Sequence, residues 1–230
     1  MNSVYEPPIL TVDSVIFELV GDELAVLLIQ RATEPFKGEW ALPGGYVAAG
    51  ETTGEATTRV LGTKAGLRSS DLRVIEQLYT FDTVARDPRG HAVSVTYMGL
   101  GKSLGWQANK TRQNPRFFPV SQLPALAYDH THIIQYAHQR LGSKITYTNV
   151  VFALLPELFT LAQLQAAYEA ILGRQLDNRN FRKRFLSLQV IKPSGQYKKD
   201  GAHRPAMLYR FCREDLNSLH ESLINKLFLK

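Results

Sequence analysis

From Trp40 to Leu67 the chain reads WALPGGYVAAGETTGEATTRVLGTKAGL, a glycine turn, a polar loop and a helix in fixed order. Residues 38–47 read as a strand entering the Pro43-Gly44-Gly45 turn, where two glycines permit backbone angles that other residues resist. A helix is expected from about Thr52 to Ala65, ended by Gly66 as a left-handed cap. Its Gly and Thr content makes it poor by propensity, so tertiary packing must hold it. Glu51 and Arg59 stand a carboxylate at the helix start and a guanidinium two turns on, placed to pair and brace the loop.

The spacing of Gly45, Glu51, Arg59, Gly66 and Leu67 resembles the Nudix box. In Nudix hydrolases three carboxylates after the arginine share one helix face. There they hold hard divalent cations, which neutralise a diphosphate and activate the attacking water. In this chain those three positions are Val60, Thr63 and Lys64. None is a carboxylate, and Lys64 brings a positive charge to the place of a cation. The box therefore reads as a ligand-binding element or a scaffold, with no catalytic residue, metal or cofactor assigned. The competing reading is an active hydrolase of ADP-ribose or a similar nucleoside diphosphate, using Glu51, Glu55 or other carboxylates.

Around the box, residues 10–20 and 24–32 read as a hairpin, 72–82 and 91–100 as further strands, and 115–120 as another. A helix from about Tyr128 to Leu141 should stop at Gly142-Ser143. The fold class expected is α+β, a Nudix α/β/α sandwich with a mixed sheet followed by a winged helix-turn-helix. The domain limits are 1–143 and 144–230.

Charge makes the same division. Residues 1–143 hold 13 Lys+Arg and 14 Asp+Glu, whereas residues 144–230 hold 14 and 7, so the whole +6 excess lies in the C-terminal third. A basic domain joined to a neutral one points to a polyanionic partner. No run is long enough for a membrane span and no secretory signal is visible at the start, so a cytoplasmic protein without a membrane partner is expected. The lone Cys212 excludes an intrachain disulfide and reads as a buried strand residue.

In the basic part, residues 148–155 read as a short apolar helix, and Thr160 with Gln163 forms a capping box before a helix with Leu164, Ala167, Tyr168 and Ile171 at helical spacing. Asp177 caps a third helix, residues 178–188, with Phe181 and either Phe185 or Leu188 inward. Residues 190–192 and 206–211 read as two strands joined by a basic loop, and residues 214–229 as a last amphipathic helix. Helices followed by a hairpin give the order of a winged helix-turn-helix. With Phe181 inward, Asn178, Arg179, Asn180, Arg182 and Lys183 fall on the exposed N-terminal half of a recognition helix, where Arg suits guanine and Asn suits adenine. Lys198, Lys199, His203 and Arg204 suit phosphate contacts. The alternative is a basic, solvated helix of a protein-interaction module.

A Nudix-like domain with a C-terminal winged helix resembles the Nudix-related transcriptional regulators of NAD metabolism (NrtR-type) over essentially the whole chain. The segments Arg86-Asp-Pro-Arg89-Gly90 and Tyr128-Asp129-His130 add weak signals of the same kind. The resemblance implies a homodimeric repressor of NAD biosynthesis or salvage genes that binds a double-stranded operator. ADP-ribose or a related nucleotide, bound in the Nudix domain, would release it. Effector contacts are expected from Arg31, Lys37, Arg86 and Arg89, from Gly44 and Glu51 in the box, and from Lys64 in partial replacement of the ion. Tyr79, Phe36 or Trp40 is expected to stack the adenine.

Overall fold

The computed structural model describes residues 7–104, 111–199 and 205–213, so Arg204, His203 and the expected last helix lie outside the described residues. The described chain divides into two compact units, residues 7–18 with 25–137, and residues 19–24 with 138–213.

The first unit is built on a seven-stranded mixed sheet. Strands β1 (Ile9–Val20) and β2 (Glu23–Gln30) form its centre, and their Val, Ile, Leu and Phe side chains are buried as near-continuous runs. Such runs belong to strands covered on both faces. Strand β6 (Ala92–Gly101) pairs parallel with β1, and β5 (Leu72–Phe81) pairs antiparallel with β6 at the sheet edge. The expected single strand over residues 38–47 is two short ones, β3 (Trp40–Ala41) on β2 and β4 (Gly44–Tyr46) on β1. Strand β7 (Arg116–Pro119) pairs antiparallel with β2 over residues 25–28.

Helix α1 (Thr53–Val60) starts in a capping box: Thr52 Oγ1 accepts from Glu55 N–H, and Glu55 Oε2 accepts from Thr52 N–H. Its last turn, Leu61–Ala65, winds as a π-helix and ends at Gly66 with φ 70°, the left-handed cap the glycine was expected to supply. Packing holds this weak helix. Ala56 and Val60 close on Val12, and Leu61, Ala65 and Leu67 join Ile16 and Leu27. Helix α2 (His130–Lys144) runs three residues past the expected stop at Leu141. Its buried face of Ile133, Ile134, Ala137 and Leu141 carries the helix through Gly142, and Ser143 Oγ donates back to Gln139 O.

The second unit contains a 3-10 turn (Val150–Ala153) where an apolar helix was expected, then helices α3 (Leu161–Leu172) and α4 (Asn178–Ser187). A three-stranded sheet in the order β8 (Phe159–Thr160), β10 (Ala206–Phe211), β9 (Ile191–Lys198) completes it. This is a winged helix whose β9 is longer than the three residues expected. Cys212 follows β10 and is exposed, contrary to its reading as a buried strand residue; the last inward side chain there is Phe211.

Candidate functional site

The cleft of the first unit follows from strand register. Antiparallel pairing of β1 with β4 sets Asp13 against Gly44 and Thr11 against Tyr46. A Cβ on Gly44 would lie 2.0 Å from Asp13 Oδ1 and 2.9 Å from Val12 O, so this approach needs glycine. Asp13 is itself fixed: its Oδ2 accepts from Ser94 Oγ at 2.6 Å and from Arg86 Nη2 at 3.3 Å. Its Oδ1 lies 3.5 Å from His130 Nε2.

His130 is buried, and its Nδ1 accepts from Leu42 N–H at 2.9 Å. That bond leaves the ring proton on Nε2, facing Asp13, and burial lowers the His130 pKa, so the ring is neutral. Arg86 is spent on structure as well, since its Nε and Nη2 make a bidentate pair with Asp129 at 2.9 and 2.8 Å. Arg89 forms a second fork with Asp87, at 3.0 and 2.6 Å. It also donates from Nη1 to Tyr46 Oη at 2.5 Å and lies over the Tyr46 and Tyr128 rings.

Arg31 differs from these. Its hydrogen bonds go to two carbonyls, Pro35 O and Thr33 O, and its guanidinium lies 4.8 Å from the centre of the Tyr128 ring. Lys64 Nζ donates to Gly44 O. Burial, then the charge of Arg31, lowers its pKa, and Asp13 opposes both.

Five of the ten expected effector residues therefore meet in one cleft: Arg31, Gly44, Lys64, Arg86 and Arg89. The other five do not line it. Glu51 is turned into the brace expected of it: its carboxylate takes a bidentate pair from Arg59, both distances 2.7 Å, and the Ala48 N–H. Arg59 holds the Glu51 pKa down to about 2 and also donates to Tyr46 O. Tyr79 packs on Phe81 and Tyr136, away from the cleft, because it projects from the edge strand β5 towards α2. Lys37 is exposed on the loop before β3. Phe36 supports the site from behind, edge-on to Tyr128 at 4.8 Å, and Trp40 packs instead on Phe118.

Asp13, Tyr46, Asp87, Gln113, Tyr128 and His130 also line the cleft and were not among the expected site residues. Of these, Asp87, Tyr128 and His130 lie in the two segments that had left a signal in the sequence. Two of them are unsatisfied: Gln113 Oε1 and Tyr128 Oη are buried without a hydrogen-bond partner among the described residues. Phe36 and Tyr128 both hold positive φ, 64° and 57°, uncommon for non-glycine residues.

The box helix does not fit a divalent cation. Val60 is fully buried against Val12 and Ala56, and Thr63 Oγ1 donates back to Arg59 O. Lys64 faces the cleft as a cation. The remaining acidic residues of the box are committed, Glu51 to Arg59 and Glu55 to the helix cap.

The second unit presents a basic surface. On α4, Phe181 and Phe185 are buried, stacked at 5.4 Å and met edge-on by Tyr168 of α3. Asn178, Arg179, Asn180, Arg182 and Lys183 are consequently all exposed, and Asp177 Oδ1 caps the helix by accepting from Asn180 N–H. The turn between α3 and α4 is tied down from α3: Glu169 Oε1 accepts from Leu176 N–H, and Gln165 Nε2 donates to Leu176 O. On the wing, Lys198 and Lys199 are exposed, as are Lys192, Tyr197 and Arg210, which had not been expected to take part.

Among known families, residues 10–138 match the NUDIX domain, and residues 151–211 match the NrtR DNA-binding winged helix domain. The ADPR responsive transcriptional repressor NtrR of Acinetobacter baylyi is 37% identical over 93% of this chain and 86% of its own length. The crystal structure of Shewanella oneidensis NrtR with a 27mer DNA superposes with a TM-score of 0.76 at 34% identity, over 88% of this chain and 93% of that one. The NUDIX domain of the same protein, complexed with ADP ribose, matches at 30% identity and a TM-score of 0.50, over 61% of this chain and 93% of that one. With a Nudix domain whose helix has lost its acidic face, and a winged helix of this particular family behind it, the chain belongs to the NrtR family of Nudix-related transcriptional regulators.

Proposed function

We propose that this chain is a DNA-binding repressor of NAD biosynthesis or salvage genes that leaves its operator when ADP-ribose occupies the Nudix cleft. The observation that carries this reading is the pairing of a cleft that gathers Arg31, Lys64, Arg86 and Arg89 with a helix unable to present metal ligands. A sensor that cleaved its signal would respond to it less faithfully. Arg31 supplies a cationic donor for a diphosphate, the exposed Tyr46 offers a face to the adenine, and the unsatisfied Gln113 Oε1 and Tyr128 Oη suit ribose hydroxyls.

On the DNA side, the N-terminal half of α4 enters the major groove. Arg179, Arg182, Asn178 and Asn180 reach base edges there, while Lys183 and the wing lysines Lys198 and Lys199 hold phosphates. A homodimer sets two such helices on half-sites about one helical turn apart. Among the described residues no helix is long and apolar enough to cross a membrane, and an operator-bound repressor works in the cytoplasm. No resident cofactor is required; ADP-ribose acts as a ligand.

The test is fluorescence anisotropy of a labelled duplex from the chain's own upstream region or from neighbouring NAD genes, titrated with and without ADP-ribose. Selective binding that ADP-ribose weakens is the expected result. Magnesium-dependent release of AMP from ADP-ribose would instead restore the hydrolase reading. Against that reading stand the commitments of Glu51 to Arg59 and of Glu55 to the helix cap.

A further inference from the structure

We infer that the Lys64 ammonium replaces a divalent cation as the charge that holds the effector's diphosphate, so that this cleft binds a nucleoside diphosphate without metal. The inference rests on the function proposed above only in taking a diphosphate as ligand. Three observations carry it.

The first is position. Lys64 occupies the third of the helix sites that carry carboxylates in the Nudix box, and its Nζ donates to Gly44 O. A Cβ added to Gly45 would lie only 3.8 Å from that nitrogen, so the ammonium sits over the glycine turn. Thr111 Oγ1 donates to Lys64 O at 2.7 Å and helps fix this last, π-helical turn.

The second is donor capacity. An ammonium has three N–H bonds, and Gly44 O takes one of them. Up to two donors are left for phosphate oxygens.

The third is charge. Among the cations of the cleft, Arg89 is matched by Asp87, and Arg86 by Asp129 and Asp13. Among the described residues, Arg31 and Lys64 have side-chain hydrogen bonds to carbonyl oxygens only. Two cations held together in a partly buried cleft repel one another, as the effect of Arg31 on Lys64 indicates. A diphosphate relieves that repulsion, whereas a divalent cation would add to it.

The test is calorimetry on the full chain, titrated with ADP-ribose and with inorganic pyrophosphate, in EDTA and in excess magnesium. For ADP-ribose, the affinity is expected to agree within about twofold in the two buffers. Lys64→Met should weaken binding about tenfold or more in both, the loss of one charged hydrogen bond, and Lys64→Arg should restore most of it. A magnesium requirement in the unaltered protein, or a folded Lys64→Met variant with unchanged affinity, would overturn the inference. The buffer comparison needs no variant and so does not depend on folding of a mutant. Lys64-dependent pyrophosphate binding in EDTA without ADP-ribose binding would keep the inference and remove ADP-ribose as effector. Binding of neither compound would overturn both.

Discussion

Gly44 is the residue on which the cleft turns, because the side chain it would collide with cannot yield. Asp13 is held by Ser94 and Arg86 and faces His130, so the 2.0 Å contact of an added methyl cannot be relieved by rotation. Gly44→Ala is expected to cost about 1–3 kcal/mol of stability, as overpacking does, and to abolish ADP-ribose binding; denaturant midpoints and calorimetry check the two parts. His130 yields a pH prediction. Its folded pKa is lowered by burial, so between that value and about 6.5 the unfolded chain takes up a proton that the folded one refuses. Stability conferred by the neutral ring is complete above about pH 6.5 and is lost as pH falls through the folded value. The urea midpoint of the protein should therefore drop between about pH 7.5 and about pH 5.5, and His130→Asn, although less stable at the upper pH, should flatten that drop. The cationic half of this site was readable in the sequence, since Arg86 and Arg89 stand in one short segment and Lys64 in the box. Asp13, Tyr46 and Gln113 were not, because only the register of β1 on β4 and the close approach of distant loops bring them there.

Helix α4 shows how packing decides what an element can present. Phe181 and Phe185 face Tyr168, which forces the polar residues between them outward. Phe181→Ala should cost about 3–5 kcal/mol. It is expected to melt the winged helix and abolish operator binding while ADP-ribose affinity stays unchanged. Circular dichroism and calorimetry on the same sample test both halves, and a loss of both activities would contradict the separability of the two units. Asp177→Ala, which only uncaps the helix, should cost about 1 kcal/mol and weaken DNA binding without unfolding. Long elements with a clear period were legible: β1, β5, β6, α3 and α4 lie where alternation or helical spacing placed them. Short or rule-breaking ones were not. Strand β8 has two residues and no period to detect. Strand β9 contains Pro193 and Gly195, which read as a loop, yet β9 is an edge strand of its sheet, where proline removes no necessary ladder bond. Helix α2 overran Gly142 because one interior glycine costs only about 1 kcal/mol, less than its continuous buried face returns.

The two functions share one chain, and their coupling has a thermodynamic form that holds whatever the route between them. If ADP-ribose lowers operator affinity, the operator must lower ADP-ribose affinity by the same factor. A coupling of about 1–3 kcal/mol corresponds to about 5- to 150-fold in each direction. The charge asymmetry of the chain separates this effect from simple competition between anions. If operator binding draws on the basic surface of α4 and β9, as proposed, its affinity should fall steeply with salt, by a slope of about −0.9 per phosphate neutralised. With its diphosphate held in the partly buried cleft, as proposed, ADP-ribose should change much less in affinity. Measured across a salt series, the ratio of ADP-ribose dissociation constants with and without saturating operator should equal the ratio of operator constants with and without saturating ADP-ribose at every salt concentration. Equal ratios that stay well above one would establish linkage through the protein. A Lys198→Ala, Lys199→Ala variant that weakens operator binding but preserves both ratios would place these wing contacts outside the coupling. An effect of ADP-ribose on DNA binding with no reciprocal effect of DNA on ADP-ribose binding cannot be an equilibrium property of this chain and would point to displacement of bound DNA by another component.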